Sequence, residues 1–290
     1  MRYLHILLLL ILSTMALTSD ARHTMLYKSR HMVLDTDTII RKQSLSVGVS
    51  YGSDAMFFGR TGPITYPFTS IDVVYNTKMG FFVYGSVLRL IGYRTFVDEV
   101  DLGGGYLYRP SKKFSGSISY NRFIFNKEKR IIESATSNDI NWKNSYNWKH
   151  SKSTVILDYL FGKSSDFFMT FSQSKYFETK GNIFTDEDYL SFNPTLSAIM
   201  GTQNFVKTYS LEHQDRLEAI NIYKFGSGPY SVNNGRLNVL NYSFKLPIAY
   251  NTPHYTFEAS YKYSIPVNVE GALQNKRESF LNLTFFYLFY

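Results

Sequence analysis

The feature that most constrains this chain is a period-two alternation of apolar and polar residues, renewed in segments of roughly ten residues from about residue 43 onward. In "TSIDVVYNT", Ile71, Val73 and Tyr75 share one face while Ser70, Asp72 and Asn76 share the other. "NDINWKNSYNWKH" sets Ile140, Trp142, Tyr146 and Trp148 against Asp139, Asn141, Lys143, Ser145 and Asn147. Successive side chains of a strand point to opposite faces, so this rhythm predicts strands with one apolar and one polar side.

A soluble sandwich also alternates, and the chemistry of the two faces separates it from a barrel. In a sandwich the polar faces meet water and carry Lys and Glu in quantity. Here "STVILDYLF" sets Val155, Leu157, Tyr159 and Phe161 against Thr154, Ile156 and Asp158. "HYTFEASYKYS" sets Tyr255, Phe257, Ala259, Tyr261 and Tyr263 against Thr256, Glu258, Ser260 and Lys262. Small polar residues with single charges on one side, and aromatics on the other, predict an antiparallel transmembrane β-barrel with lipid outside and a polar interior. Composition agrees: Tyr and Phe number 24 each and aromatics make up 17 % of the chain. Mean hydropathy is −0.19, and past residue 20 no run nears the ~20 apolar residues of a spanning helix.

The pattern gives about twelve strands, at 43–52, 67–77, 80–91, 98–109, 114–125, 138–148, 153–162, 166–177, 189–202, 236–248, 254–265 and 279–290. Connections alternate between short ones, such as "TKMG" and "YNTPH", and longer ones, the longest at 203–235. This predicts short periplasmic turns and longer extracellular loops. "GKSSD" is short for a loop and "ETKGNIFTDEDY" long for a turn. The last segment, "SFLNLTFFYLFY", is strand-like to its end, where a soluble chain would fray. Paired with the first strand it becomes the closing strand. Leu281, Leu283, Phe285, Tyr287 and Phe289 then face lipid, and Phe280, Asn282, Thr284 and Phe286 face inward.

The opening residues have Arg2, an apolar core from Leu4 to Leu12, and the small residues Ser19 and Ala21. They read as a cleaved signal peptide, 1–21, followed by an N-terminal periplasmic segment, 22–42, and the barrel, 43–290. There is no Cys, so disulfides and Cys-ligated metals play no part. The net charge of +8 is scattered rather than gathered on a helix or patch, which argues against nucleic acid.

Three stretches, "SYGSDAMFFGRTGPITYPF", "SFNPTLSAIMGTQNF" and "LNYSFKLPIAYNTPHYTFEASYKYSIP", resemble segments of uncharacterised outer-membrane barrel proteins of the Bacteroidetes type. The likeness extends over most of 43–290 and implies the fold and the location; it carries no activity with it.

Charges on the polar face are the candidate lumen lining: Asp72, Arg89, Asp139, Lys143, Asp158, Lys245, Glu258 and Lys262. Opposite charges in a narrow barrel either cross-link into a filled interior or leave a thin polar channel. No catalytic, cofactor or metal residues are expected. His213 in "SLEHQDRLEA" has acidic neighbours but no second His, and the run Gly103, Gly104 and Gly105 lacks phosphate-loop spacing, fitting instead a bend or a bulky neighbour. The expected function is an integral outer-membrane protein of a Gram-negative cell, a narrow channel for small solutes or ions. The alternatives are a sealed barrel that binds or adheres through its loops, and an outer-membrane lipid-modifying enzyme. Expected partners are outer-membrane lipids, lipopolysaccharide and, through the C-terminal strand, the barrel-assembly machinery.

Overall fold

The computed structural model describes residues 43–61, 64–126, 136–179, 183–206, 236–268 and 278–290. The signal and N-terminal segments, His213 and nearly all of the 203–235 connection lie outside them.

Fourteen strand segments follow in order: β1 (Ser44–Gly52), β2 (Phe68–Asn76), β3 (Phe81–Leu90), β4 (Glu99–Tyr108), β5 (Phe114–Phe125), β6 (Asn138–Asn147), β7 (Lys152–Phe161), β8 (Asp166–Ser174), β9 (Phe177–Glu178), β10 (Tyr189–Phe192), β11 (Thr195–Gly201), β12 (Asn238–Asn251), β13 (Tyr255–Pro266) and β14 (Glu278–Phe289). Each pairs antiparallel with its neighbours. β14 pairs with β1 from Leu45↔Phe289 to Gly52↔Asn282, and β11 pairs with both β8 and β12. The sheet therefore closes on itself and has no free edge around its girth.

β9 prolongs β8, and β10 runs into β11 along the same partner, β12. Counted around the wall, the barrel has twelve strands. The break between β10 and β11 falls at Asn193 and Pro194, opposite Pro247, a residue with no N–H to give the ladder. The connection after β9, long for a turn, is tied down by Asp188, which accepts from the amides of Ile183, Phe184 and Thr185 and from the Tyr250 hydroxyl.

Alternation sorts the side chains as the strand geometry demands. Val49, Ile71, Val83, Leu102, Ile118, Tyr159, Phe257, Leu283 and Phe285 are exposed on the outer face. Ser70, Ser115, Asn121, Ser145, Ser243, Ser260 and Ser264 are buried on the inner face. Near the short-turn end the outer face carries aromatics with satisfied polar tips. Trp142 Nε1 donates to the Tyr108 hydroxyl at 2.7 Å, Trp148 Nε1 donates to Ser153 Oγ at 2.8 Å, and Tyr146 packs edge-on against Trp148. Rings that keep one side apolar and offer one polar atom suit a boundary between oil and water.

One irregularity matters for the interior. Ile199 pairs with Asn241 while Met200 pairs with Val239, so Leu240 is an extra residue, a β-bulge. The bulge turns Leu240 as well as Asn241 inward, and both are fully buried.

Candidate functional site: the lumen and the hairpin across its mouth

The connection between β1 and β2 does not stand away from the barrel. It leaves β1 bonded to β14, with Ser53 N–H donating to the Leu281 carbonyl, and returns as a hairpin through Ala55 N–H to Tyr66 O. Its tip is a reciprocal pair in which Phe57 and Arg60 each donate a backbone N–H to the other's carbonyl at 2.8 Å. Between them Phe58 (φ 45°) and Gly59 (φ 78°) both take left-handed backbone, the combination of a tight type I′ turn. Glycine takes that conformation freely and phenylalanine does not, so the ring of Phe58 must be held by what it packs against.

What holds it lies across the barrel. Phe58 stacks on Phe168 of β8, ring centroids 3.8 Å apart, and Phe57 meets Phe168 and Phe205 edge-on at 6.0 and 5.1 Å. Leu160, Ile199, Val206 and the bulged Leu240 complete this cluster. A Cβ on Gly59 would lie 2.4 Å from that of Asn241, so no larger residue fits at the tip. β8 is seven strands from β1 one way round and five the other, so the hairpin spans the mouth. Its base stays on the near side, where Tyr66 packs with Leu90, Leu88, Phe68 and Phe125.

Polar contacts pin the same hairpin. Arg60 has no exposed surface. Its Nη2 donates to Gln203 Oε1 at 3.1 Å and to the Val267 and Asn268 carbonyls at 2.8 and 3.4 Å. Thr61 Oγ1 is 2.7 Å from both carboxylate oxygens of Glu278. Asp54 accepts the Tyr66 N–H at 2.6 Å, and burial, reinforced by the nearby Glu278 charge, pushes its carboxyl up to about 6. Asp166, at the start of β8, caps the segment that supplies Phe205, accepting from Thr202 Oγ1 and from the amides of Asn204 and Phe205.

Below the hairpin the lining is charged and unevenly divided. Asp72 on β2 accepts from Ser86 Oγ at 2.6 Å and Ser70 Oγ at 3.1 Å. Asp139 on β6 accepts from Asn121 at 2.8 Å, and Asp158 on β7 from Asn141 at 2.5 Å. Lys143 shares the inner face of β6. Lys245 and Lys262 stand cross-strand from each other on β12 and β13, and Lys245 reaches Glu258 at 3.5 Å. One wall is thus rich in carboxylates, and the lysines of β12 and β13 belong to the other.

The register moves one expected lining residue out of the lumen. Ser86 pairs with inward Asp72, so Arg89, three residues on, has the opposite parity; it is exposed outside with its guanidinium 5.7 Å from the Phe96 ring centre. Glu99 and Asp101 take inward positions on β4 that the alternation of "EVDLGGGYLY" disguised, because three glycines carry no apolar signal. Gly103 admits bulky neighbours: a Cβ there would lie 2.4 Å from the Tyr84 ring. Of the closing strand, Leu281, Leu283, Phe285, Tyr287 and Phe289 are exposed outside. The hairpin itself is the element that sequence reasoning missed. Its signal is "MFFGR", two adjacent phenylalanines in a connection that would otherwise be left to water.

These features define a class: a closed, twelve-stranded antiparallel barrel with an apolar exterior, a charged lumen and a loop folded across one mouth. No family model matches the chain, and no curated protein is significantly similar to it. Solved structures give distant likenesses. The KdgM porin aligns with TM-score 0.46 and 9 % identity over 84 % of this chain and 99 % of its own. The NanC porin gives 0.44 and 13 % over 84 % and 98 %, and LpxR from Salmonella typhimurium gives 0.43 and 9 % over 85 % and 100 %. Likenesses of that order carry no argument here, and the architecture stands on the strand register of this chain.

Proposed function

We propose that the chain is an integral outer-membrane barrel of a Gram-negative cell and a narrow channel for small ions or solutes, throttled at its outer mouth by the hairpin between β1 and β2. The observation that carries the reading is the pairing of an apolar outer wall with a lumen of Asp, Lys, Ser and Asn beneath a loop seated by Phe58 and Arg60. A strand of ten residues, such as β7, is about 33 Å long and, tilted by roughly 40°, matches an apolar band about 25 Å tall. Outer-membrane lipids and lipopolysaccharide would then surround the wall. The short turns and both termini of the barrel would face the periplasm, and β14 would be the strand that the assembly machinery receives. Export through a cleaved signal at 1–21 belongs to the same reading, as does the likeness of three segments to Bacteroidetes-type barrels.

No catalytic role is assigned, and nucleic acid is not a partner in this reading. Among the described residues the histidines are His150 and His254, both at the short-turn end, where His254 lies against Tyr287 and Tyr290. The second reading, a sealed barrel working through its loops, draws on the burial of Arg60, which makes the seated hairpin a firm cover.

The deciding experiment is conductance in planar bilayers of the intact protein and of a form whose residues 54–66 are replaced by a short Gly–Ser linker. Stepwise conductance that grows when the hairpin is removed supports the channel. Silence from both forms, with heat-modifiable gel migration showing both folded, would leave the sealed barrel.

A further inference from the structure

The outer wall carries its charge in one place. Among the described residues, the strand positions that face outward hold no carboxylate and no lysine, and the charges they do hold are Arg89 on β3 and Arg122 on β5. Arg122 is outward because its cross-strand partner Leu102 and its alternate neighbours Tyr120 and Ile124 are exposed on that face, while Asn121 is buried inside. Both arginines are exposed, and both stand at the end of a strand that runs into a longer loop. Arg89 is followed in β3 by Leu90 alone, and Arg122 in β5 by Phe123, Ile124 and Phe125, with β4 alone between the two strands. Arg122 donates through Nη1 to Asn138 Oδ1 at 2.8 Å, and the Tyr120 hydroxyl donates to the same oxygen at 2.7 Å. This fixes the side chain on the wall and leaves most of its N–H groups over. Arg89 lies over the ring of Phe96, which is 82 % exposed, and no carboxylate pairs with either arginine among the described residues. Ile91 is exposed in the same connection as Phe96, and so is Arg94.

Bare apolar side chains beside guanidiniums suit neither water nor hydrocarbon alone. They suit the level at which acyl chains give way to anionic headgroups, where a charge on the wall costs far less than at the midplane. We infer that Arg89 and Arg122, with Phe96 as an apolar lip, hold the phosphate groups of a glycolipid of the outer leaflet as a bound lipid, distinct from the general lipid surround. The inference rests on the outer-membrane reading above, which turns the longer loops outward. A guanidinium meets phosphate oxygens with parallel N–H donors, and adjoining hydrocarbon keeps water from competing. Two strand spacings separate β3 from β5, about 10 Å across the wall, and the arginines are offset along the strands as well. That span calls for a headgroup with two separate phosphates and is too wide for one phosphodiester. A second copy of the chain could not supply the anions through its own wall, whose described outward strand positions carry no carboxylate.

The test uses the full-length protein folded in detergent, with native mass spectrometry to count bound lipid. The probes are the bisphosphorylated glycolipid anchor of lipopolysaccharide, the same glycolipid stripped of its phosphates, and phosphatidylglycerol. The wild type should retain the bisphosphorylated probe. Retention should fall severalfold in Arg89→Gln/Arg122→Gln, and equally when the phosphates are removed from the probe. Lys112→Gln/Lys113→Gln removes the same charge from an exposed short turn at the other end of the barrel and should leave retention unchanged. Heat-modifiable migration checks that each variant folds. Undiminished retention in the arginine variant overturns the site, and so does an equal loss in the lysine variant, since gross charge would then do the holding. Phosphatidylglycerol retained as well as the glycolipid overturns the two-phosphate assignment. A folded, detergent-dependent barrel that retains none of the probes overturns the site alone, whereas a chain that stays soluble without detergent overturns the outer-membrane reading and the site with it.

Discussion

Phe58 and Phe168 stack face to face, centroids 3.8 Å apart and planes within 8° of parallel, although one belongs to a loop and the other to the far wall of the barrel. Phe168 is fully buried. Truncating it should cost about 3–5 kcal/mol and leave a cavity in the wall as well as an unseated hairpin. Phe58→Ala should separate the two effects, because Phe58 lies outside every strand of the wall. The expected outcome is a barrel with unaltered heat-modifiable migration whose conductance is larger and noisier than that of the wild type. Unchanged conductance in Phe58→Ala would detach the stack from any throttling role.

Arg60 gives a sharper test of the same element. The Gln203 side-chain oxygen and the Val267 and Asn268 carbonyls all meet one guanidinium nitrogen, Nη2, at a buried position. Arg60→Ala should therefore release the hairpin, each charge-assisted hydrogen bond lost removing about 1.5–3 kcal/mol of anchoring, and Arg60→Lys, whose single nitrogen still carries three donors, should release it less. Hydrogen exchange at the Phe57 and Arg60 amides, which bond to each other's carbonyls, should quicken in both variants while the strand amides stay protected.

Asp54 should make the seating of the hairpin depend on pH. Burial raises its carboxyl to about 6 from an ordinary 3.8, so the seated loop binds the proton more tightly than the released loop. The stabilisation is complete below about pH 4 and is lost as pH rises through about 6. Protection factors at Ala55 and Phe57 should fall between about pH 4 and 6, and conductance should rise in parallel. In Asp54→Asn the slope should vanish across that window, with the Tyr66 N–H still accepted by the amide oxygen.

The two faces of β14 predict an asymmetry in membrane insertion. Phe285 is 42 % exposed on the outer face, while Thr284 points inward between Ser50 and Glu258. Phe285→Arg should cost about 2–4 kcal/mol at the bilayer midplane, and Thr284→Arg less, since a carboxylate faces it. Refolding yields in lipid vesicles compare the two directly. Equal impairment would contradict the outward assignment.

The wall of this barrel was legible because period-two alternation is local: "STVILDYLF" states its own two faces without knowing its neighbours. Strand number and most inward positions follow from that alone. Arg89 was misplaced because "VYGSVLRL" mixes Gly85, Ser86 and Leu88 in a way that leaves parity undecided until Asp72 is seen opposite Ser86. The hairpin was illegible for a different reason. Its hydrophobic partners come from β7, β8, β11 and the bulge of β12, and no window of sequence holds both Phe58 and Leu240. The bulge is a register event, visible only once β11 and β12 are paired. The carboxylate pair beneath the tip likewise needed the register, since Asp139 and Asp158 become neighbours only when β6 and β7 are aligned.

The seam between β1 and β14 has a consequence for the order of assembly. Leu45 and Phe289 stand side by side in the finished wall, at opposite ends of the described chain. One edge of the first strand therefore stays open until the last strand has been made, and every hairpin formed earlier is an unclosed sheet with apolar side chains on one face and unmet amides on its rim. Such an intermediate would recruit another copy as readily as its own terminus. Until β14 meets β1 that sheet stays exposed, and β14 is the clasp that ends its vulnerability.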